Sequence, residues 1–324
     1  ALPAPKLAYV ATVHHWTGNF VGRGSQGGKP REVRVLDRGD VTRPLEPVQP
    51  GTVPGIVGEC GSFDLPENHS EGERRVALAN WVVHRENGLT WRSIVNRVWQ
   101  GHFGMGLVET ANDFGRLGGE PSHPELLDWL AVEFRDSGGS LKELHRLIVT
   151  SATYKQESEG DLVNESRDGS NRFLWKQNRR RLEAESIRDA VLIAAGKMDF
   201  RMGGPSFKDF VIEKPEHSPH YLYEKADPND EATHRRSVYR FLVRSQPQPL
   251  MEALDCADPS LLVEKRGETT TALQALAMMN SPFVVTMAEH FARRVEREND
   301  VVGVAVEIAL GRDATDEERE VLIG

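Results

Sequence analysis

"TWRSIVNRVWQGHFGMGLVETANDFG" (Thr90–Gly115) decides how this chain is built. Its first half places Trp91, Ile94, Val95, Val98 and Trp99 at the three-then-four spacing of a helix that buries one face. Thr90 stands where an N-cap hydroxyl belongs. The second half abandons that period. Gly101, Gly104 and Gly106 allow backbone angles closed to other residues, and Asn112-Asp113 can fold a turn onto its own backbone. Continuing the stripe brings His102 to the inward face. It is read either as a core imidazole donating a ring N–H to a backbone carbonyl or as a base or ligand at a pocket wall. The glycines follow a helix instead of joining a strand to one, so this is a scaffold turn before it is a phosphate loop.

Helical periods continue on both sides. Residues 71–86 read as a helix, and Ser122-x-x-Glu125 as a capping box with Pro124 near the first turn. Leu126, Leu127, Leu130 and Phe134 then share a face that Gly138-Gly139 ends, and Ser140-x-x-Glu143 caps the next helix. Residues 155–172 read as a polar loop, 179–196 as a strong helix, and 197–233 as a long irregular excursion. Residues 237–244 read as a strand. Residues 269–280, apolar nearly all round, predict a buried helix. Ser281-Pro282 starts another, and Thr315-x-x-Glu318 caps the last. Upstream, residues 6–13 and 31–39 read as short β segments, whereas the prolines of 43–56 make an extended connector. The expected fold is mainly α: a multi-helix body (71–324) behind a Pro/Gly-rich β or extended lead-in (1–70), with one or two short strands.

The bulk numbers bound the function. With 324 residues, the chain is long enough for one large domain or two intimate ones. A net charge of −9 argues against binding to a phosphate backbone, so no nucleic-acid partner is expected. No apolar run is long enough to span a membrane. The opening "ALPAPKLAYV" has no Met and no signal pattern, and reads as an excised piece of a longer protein. Cys60 and Cys256 have neither zinc nor haem-attachment spacing; two free thiols or one disulfide stay open. His14-His15 and His217-x-x-His220 lack a third ligand nearby, so no metal is assigned.

Several polar residues fall in apolar places. On the 179–196 wheel, Glu183 lies inside the arc of Leu182, Ile187, Ala190 and Val191, with Arg181, Glu185 and Arg188 opposite. A carboxylate there must be paired, hydrogen-bonded or protonated. A buried Arg–Glu pair and a general acid are the two readings; Glu185 and Arg181, four apart, read as a surface pair. Were residues 234–244 extended, Arg236, Arg240 and Arg244 would share one face, as an ion-pair ladder or an anion site. Asp255 sits in "LDCADP", a turn before it is a calcium loop.

"NRVWQGHFGMGLVETANDFG", "HPELLDWLAVEF", "LKELHRLIVTSATYKQ", "RRLEAESIRDA", "RRSVYRFLVR" and "TTTALQALAMMNSPF", in this order, resemble the planctomycete-specific PSD family (DUF1553), from Lys6 onward. The resemblance implies a C-terminal module of a large exported bacterial protein, in the periplasm or at the cell surface, with upstream domains of the same polypeptide as partners. It also implies a cytochrome-c-like segment upstream in many members, so any haem belongs there, and this chain itself carries no cofactor. It supplies no catalytic residues. Three functions follow: a scaffold or polysaccharide-associated module; a hydrolase of complex polysaccharide, for which His102, Asp113, His123 and Glu183 would have to converge on one cleft; or an accessory domain that docks the cytochrome segment.

Overall fold

A computed structural model describes residues 32–58, 61–214, 218–261 and 263–323. Among them the chain is mainly α, with eleven α-helices and two small two-stranded antiparallel sheets. It divides into two compact units, Ala1–Asn178 and Arg179–Gly324. The expected segment 6–13, His14-His15, Cys60 and His217 lie outside the described residues.

In the first unit, β1 (Val33–Leu36) pairs with β2 (Pro44–Val48). Part of the expected connector is thus a strand, which its prolines permit because each strand has only one neighbour. Helices α1 (Glu71–Val82), α2 (Gly88–Phe103), α3 (Pro124–Asp136) and α4 (Leu141–Thr150) follow. Val95, Trp99 and Phe103 of α2 pack with Leu127, Leu130 and Phe134 of α3 and with Leu144 and Ile148 of α4. Each such burial is worth about 1.5–3 kcal/mol. Phe103 therefore continues the buried stripe, and His102 stands beside it, half-buried. Gly104 ends α2 in the left-handed region at φ 81°.

Several caps differ from the sequence expectation. Asn87, not Thr90, caps α2, and its side chain accepts from the Thr90 N–H. Ser122 gives its hydroxyl to the Leu107 carbonyl instead of forming a capping box, leaving His123 at the N-cap of α3 with no side-chain cap bond. Ser140 caps α4 as expected, and Gly138 and Gly139 are both left-handed. A short helix, α5 (Leu162–Arg167), interrupts the expected polar loop.

In the second unit α6 runs Ala184–Ala194, later than expected, because residues 179–183 are not helical and Glu183 is extended. That shift overturns the wheel. The buried positions are Ala184, Arg188 and Leu192, at spacing four, so Arg188 faces inward. A small hairpin of β3 (Val211–Glu213) and β4 (His220–Leu222) lies within the irregular excursion. The expected strand over 237–244 is instead a 3-10 turn at Ser237–Tyr239, followed by extended backbone whose ladder contact is a single bridge from Arg240 to Phe207. Helices α7 (Pro249–Ala253), α8 (Ala272–Asn280), α9 (Pro282–Val295), α10 (Val301–Leu310) and α11 (Asp316–Ile323) complete the unit. The sequence reading passes over α7, which is short, and α10, whose valines and Gly303 carry weak helix propensity. Nor is α8 the buried helix expected of it: Leu273 and Met279 are both 73% exposed. Uniform apolar composition carries no direction, and only the edge with Ala277 and Met278 packs against Ala184, Leu250 and Met251.

Candidate binding cavity

The second unit carries a hollow, open to solvent on one side, of about 370 Å3 with Arg188, Asp209, Tyr223, Gln248, Asn280 and Phe283 among its walls. Arg188 is its anchor. Set on the buried face of α6 and only 5% exposed, it donates to the carbonyls of Thr233 at 2.5 Å and Arg235 at 3.0 Å and to Ser237 Oγ at 3.4 Å. Phe207 and Phe283 hold its guanidinium between them, at 5.0 and 5.2 Å from the ring centroids. Burial pulls its pKa down to about 10, against the opposing pull of Asp209 and Asp189. Next to it on α6, Asp189 accepts from Ser237 N at 2.8 Å and Ser237 Oγ at 2.7 Å, so two consecutive side chains stitch the segment 233–237 to the helix.

Asp209 is the cavity's unsettled group. Burial pushes its carboxyl above the ordinary carboxylate value, while Arg240 and Arg188 pull it back. Its Oδ1 is buried with no hydrogen-bond partner among the described residues, and its Oδ2 lies 3.9 Å from Arg240 Nη1. Buried polar atoms rarely go unpaired, so such an oxygen marks where a donor would be welcome. Tyr223 donates its hydroxyl to the Gln246 carbonyl at 2.9 Å, and burial, then the Asp209 charge, raises its pKa to about 12. Glu224 and Asp227 also stand on the wall, giving three carboxylates against one guanidinium. The site suits a ligand with many hydrogen-bond donors and an apolar face for Tyr223 and Phe283.

The residues singled out from sequence lie elsewhere. His102 Nε2 meets His145 Nδ1 at 2.8 Å and its ring meets Tyr154 edge-on, so a second imidazole is among its partners. Asp113 accepts from the Gly115 N–H at 2.8 Å and closes the expected local turn; Arg97 holds neighbouring Asn112. His123 Nδ1 lies 3.0 Å from Ser122 Oγ, with its ring against the Phe173 edge. Glu183 precedes α6, about half exposed, and pairs with Arg266 at 3.1 Å; the expected Arg–Glu pair exists but is not buried. Glu185 also meets Arg266, whereas Arg181 pairs with Asp255 at 2.6 Å, so those two do not form the expected surface pair. Asp255, left-handed at φ 61°, also accepts from Thr269 N at 2.8 Å and Gln274 Nε2 at 3.0 Å. Arg236 and Arg244 are exposed while Arg240 is 7% exposed, so the three form no common row. None of His102, Asp113, His123 or Glu183 lines the cavity.

Arg188, Asp209 and Tyr223 escaped the sequence reading. The spacing Ala184, Arg188, Leu192 exposes Arg188 once the helix start is known, but nothing local marks Asp209. Under the glycine stretch, the first unit has its own hollow of about 240 Å3, walled by Trp99, Gly106, Glu109, Asn171 and Arg172. Among the described residues no group of three or more His, Cys, Asp or Glu side chains is arranged to hold a metal ion. No helix among them is long and apolar enough to cross a membrane. Residues 74–323 match the family described as Protein of unknown function (DUF1553). No curated protein and no solved structure matches the chain.

Proposed function

The chain belongs to the DUF1553 family, and from that premise we propose that it is a binding module of an exported polypeptide whose cavity beside Arg188 and Asp209 holds a segment of polysaccharide. The carrying observation is the buried Asp209 oxygen without a donor, in a hollow whose acceptors outnumber its cations and whose walls include Tyr223 and Phe283. A sugar ring presents hydroxyl donors at its edge and C–H groups on its faces, which is the complement of such a wall. The test is a glycan array on the purified chain, followed by calorimetry on any positive. Asp209→Asn and Glu224→Gln are expected to weaken binding about tenfold each, the loss of one good hydrogen bond. A folded chain that binds no glycan overturns the reading.

A second reading has one specific support. A carboxyl that burial holds above its ordinary value, with Glu224 and Asp227 on the same wall, is the equipment of a general acid for glycoside cleavage. Under it, Asp209→Asn retains bound glycan but releases no reducing ends, whereas the wild-type chain releases them steadily.

A further inference from the structure

A smaller hollow, of about 110 Å3, adjoins the same wall residues: Tyr223, Gln248 and Met251 line both. Its own walls include Arg240, Arg244 and Cys256. We propose that this hollow receives one oxyanion, a carboxylate or a sulfate, carried by the ligand of the larger cavity.

The argument rests on how Arg240 is left. A guanidinium has five N–H donors. Arg240 is 7% exposed, yet its Nε has no hydrogen-bond partner among the described residues. Its nearest other contacts are long: Nη1 to Asp209 Oδ2 at 3.9 Å and Nη2 to Cys256 Sγ at 3.9 Å. An unpaired Nε is not peculiar to Arg240, since Arg235 and Arg181 share one; what sets Arg240 apart is that its terminal nitrogens also lack a close oxygen acceptor. Arg188 has close acceptors on both terminal nitrogens, and Arg235, equally buried, donates to the carbonyls of Pro205 at 2.7 Å, Arg201 at 3.3 Å and Gly203 while stacking on Tyr239. A buried cation served this thinly is costly unless an anion completes it.

Two acidic groups, Glu252 and Asp258, stand on the same wall, and the Asp258 charge acts on Arg244, but neither bonds to Arg240. Asp258 accepts from Ser260 N at 2.8 Å and Ser260 Oγ at 2.5 Å. Glu185 is held by Arg266, and Glu252 is exposed. Asp209 reaches Arg240 only at long range, and its carboxyl is itself shifted toward the neutral form by burial. Arg244, exposed at the mouth, adds a second cation for an entering oxyanion. An acidic sugar can thus seat its ring in the larger cavity and its acid group against Arg240, which rests on the polysaccharide reading above.

Cys256 supplies a reporter, because its free thiol lies against Arg240 on the same wall. The experiment is alkylation of the whole chain with neutral iodoacetamide, followed by peptide mass spectrometry, in sodium sulfate or sodium acetate against chloride at matched ionic strength and pH. The Cys60 peptide in the same digest reports nonspecific effects. The expected result is a saturable slowing at Cys256 of severalfold or more by sulfate or acetate, and whichever protects more names the acid group. Arg240→Gln should abolish the protection. Arg244→Gln, at an exposed position, should weaken it in a chain that folds normally, which keeps the test decisive if Arg240→Gln fails to fold. Equal rates in all three salts overturn the proposal. A parallel arm compares a neutral oligosaccharide with its uronate and sulfated counterparts. If all three bind equally and none protects Cys256, the polysaccharide reading stands and the oxyanion site falls. If simple anions protect and no glycan binds, the oxyanion site stands and the polysaccharide reading falls.

Discussion

Arg188 Nη2 donates to the Thr233 carbonyl at 2.5 Å from a side chain nearly sealed from solvent. The bond joins α6 to a segment with little regular structure of its own, and its partners at Arg235 and Ser237 make the contact a fork. Arg188→Lys keeps the charge but cannot reproduce the fork, and loses the stacking between Phe207 and Phe283. It is expected to cost about 3 kcal/mol in urea unfolding. A loss below about 1 kcal/mol would show that the segment 233–237 does not depend on it.

Asn96 does similar work in the first unit. It is 0% exposed; its Nδ2 donates to the Val108 carbonyl at 2.9 Å and its Oδ1 accepts from the Val108 N–H at 2.8 Å. Asn96→Leu leaves both backbone groups buried and unpaired, for an expected loss of roughly 2–5 kcal/mol. Gly106→Ala should fail at the same place, since an added Cβ would lie 2.5 Å from the Val108 oxygen and 2.7 Å from Asn96 Nδ2. Because both changes break one contact, the double variant should be clearly less destabilised than the sum of the singles in thermal melts.

Glu318 makes the final helix pH-dependent. The Arg312 guanidinium first, and then the Thr315 backbone N–H, hold its carboxyl down to about 2 from an ordinary value of 4.5. A carboxyl lowered by folding contributes stability that is whole above the ordinary value and is lost as pH falls through the folded one. The cap of α11 should therefore persist at pH 5 and loosen between pH 4.5 and about 2. NMR titration of the Glu318 carboxyl and the Thr315 amide checks it, and Arg312→Gln should move the midpoint upward.

Two apolar residues of the second unit should respond in opposite ways. Leu273 on α8 is 73% exposed and Met287 on α9 is 1% exposed. Leu273→Gln is expected to change stability by less than about 0.5 kcal/mol, whereas Met287→Ala should cost about 2–5 kcal/mol. Chemical denaturation of the two variants side by side decides it; equal losses would mean that the exposed face of α8 is covered in solution.

The sequence by itself determined the helical class, most of the helix inventory, and the caps at Ser140 and Thr315, because hydrophobic period and capping chemistry are written within a few residues. It also carried the Asn112-Asp113 turn, whose bonds are local. It misjudged where α6 begins, and with that one shift Arg188 passed from the solvent face to the interior while Glu183 went the other way. The Arg188 fork, the unpaired Asp209 oxygen and the thinly served Arg240 were decided only by tertiary structure. Each depends on groups well separated in the chain, 16 or more residues apart, that meet in a buried setting, and there desolvation, which no local pattern records, governs how a charge behaves.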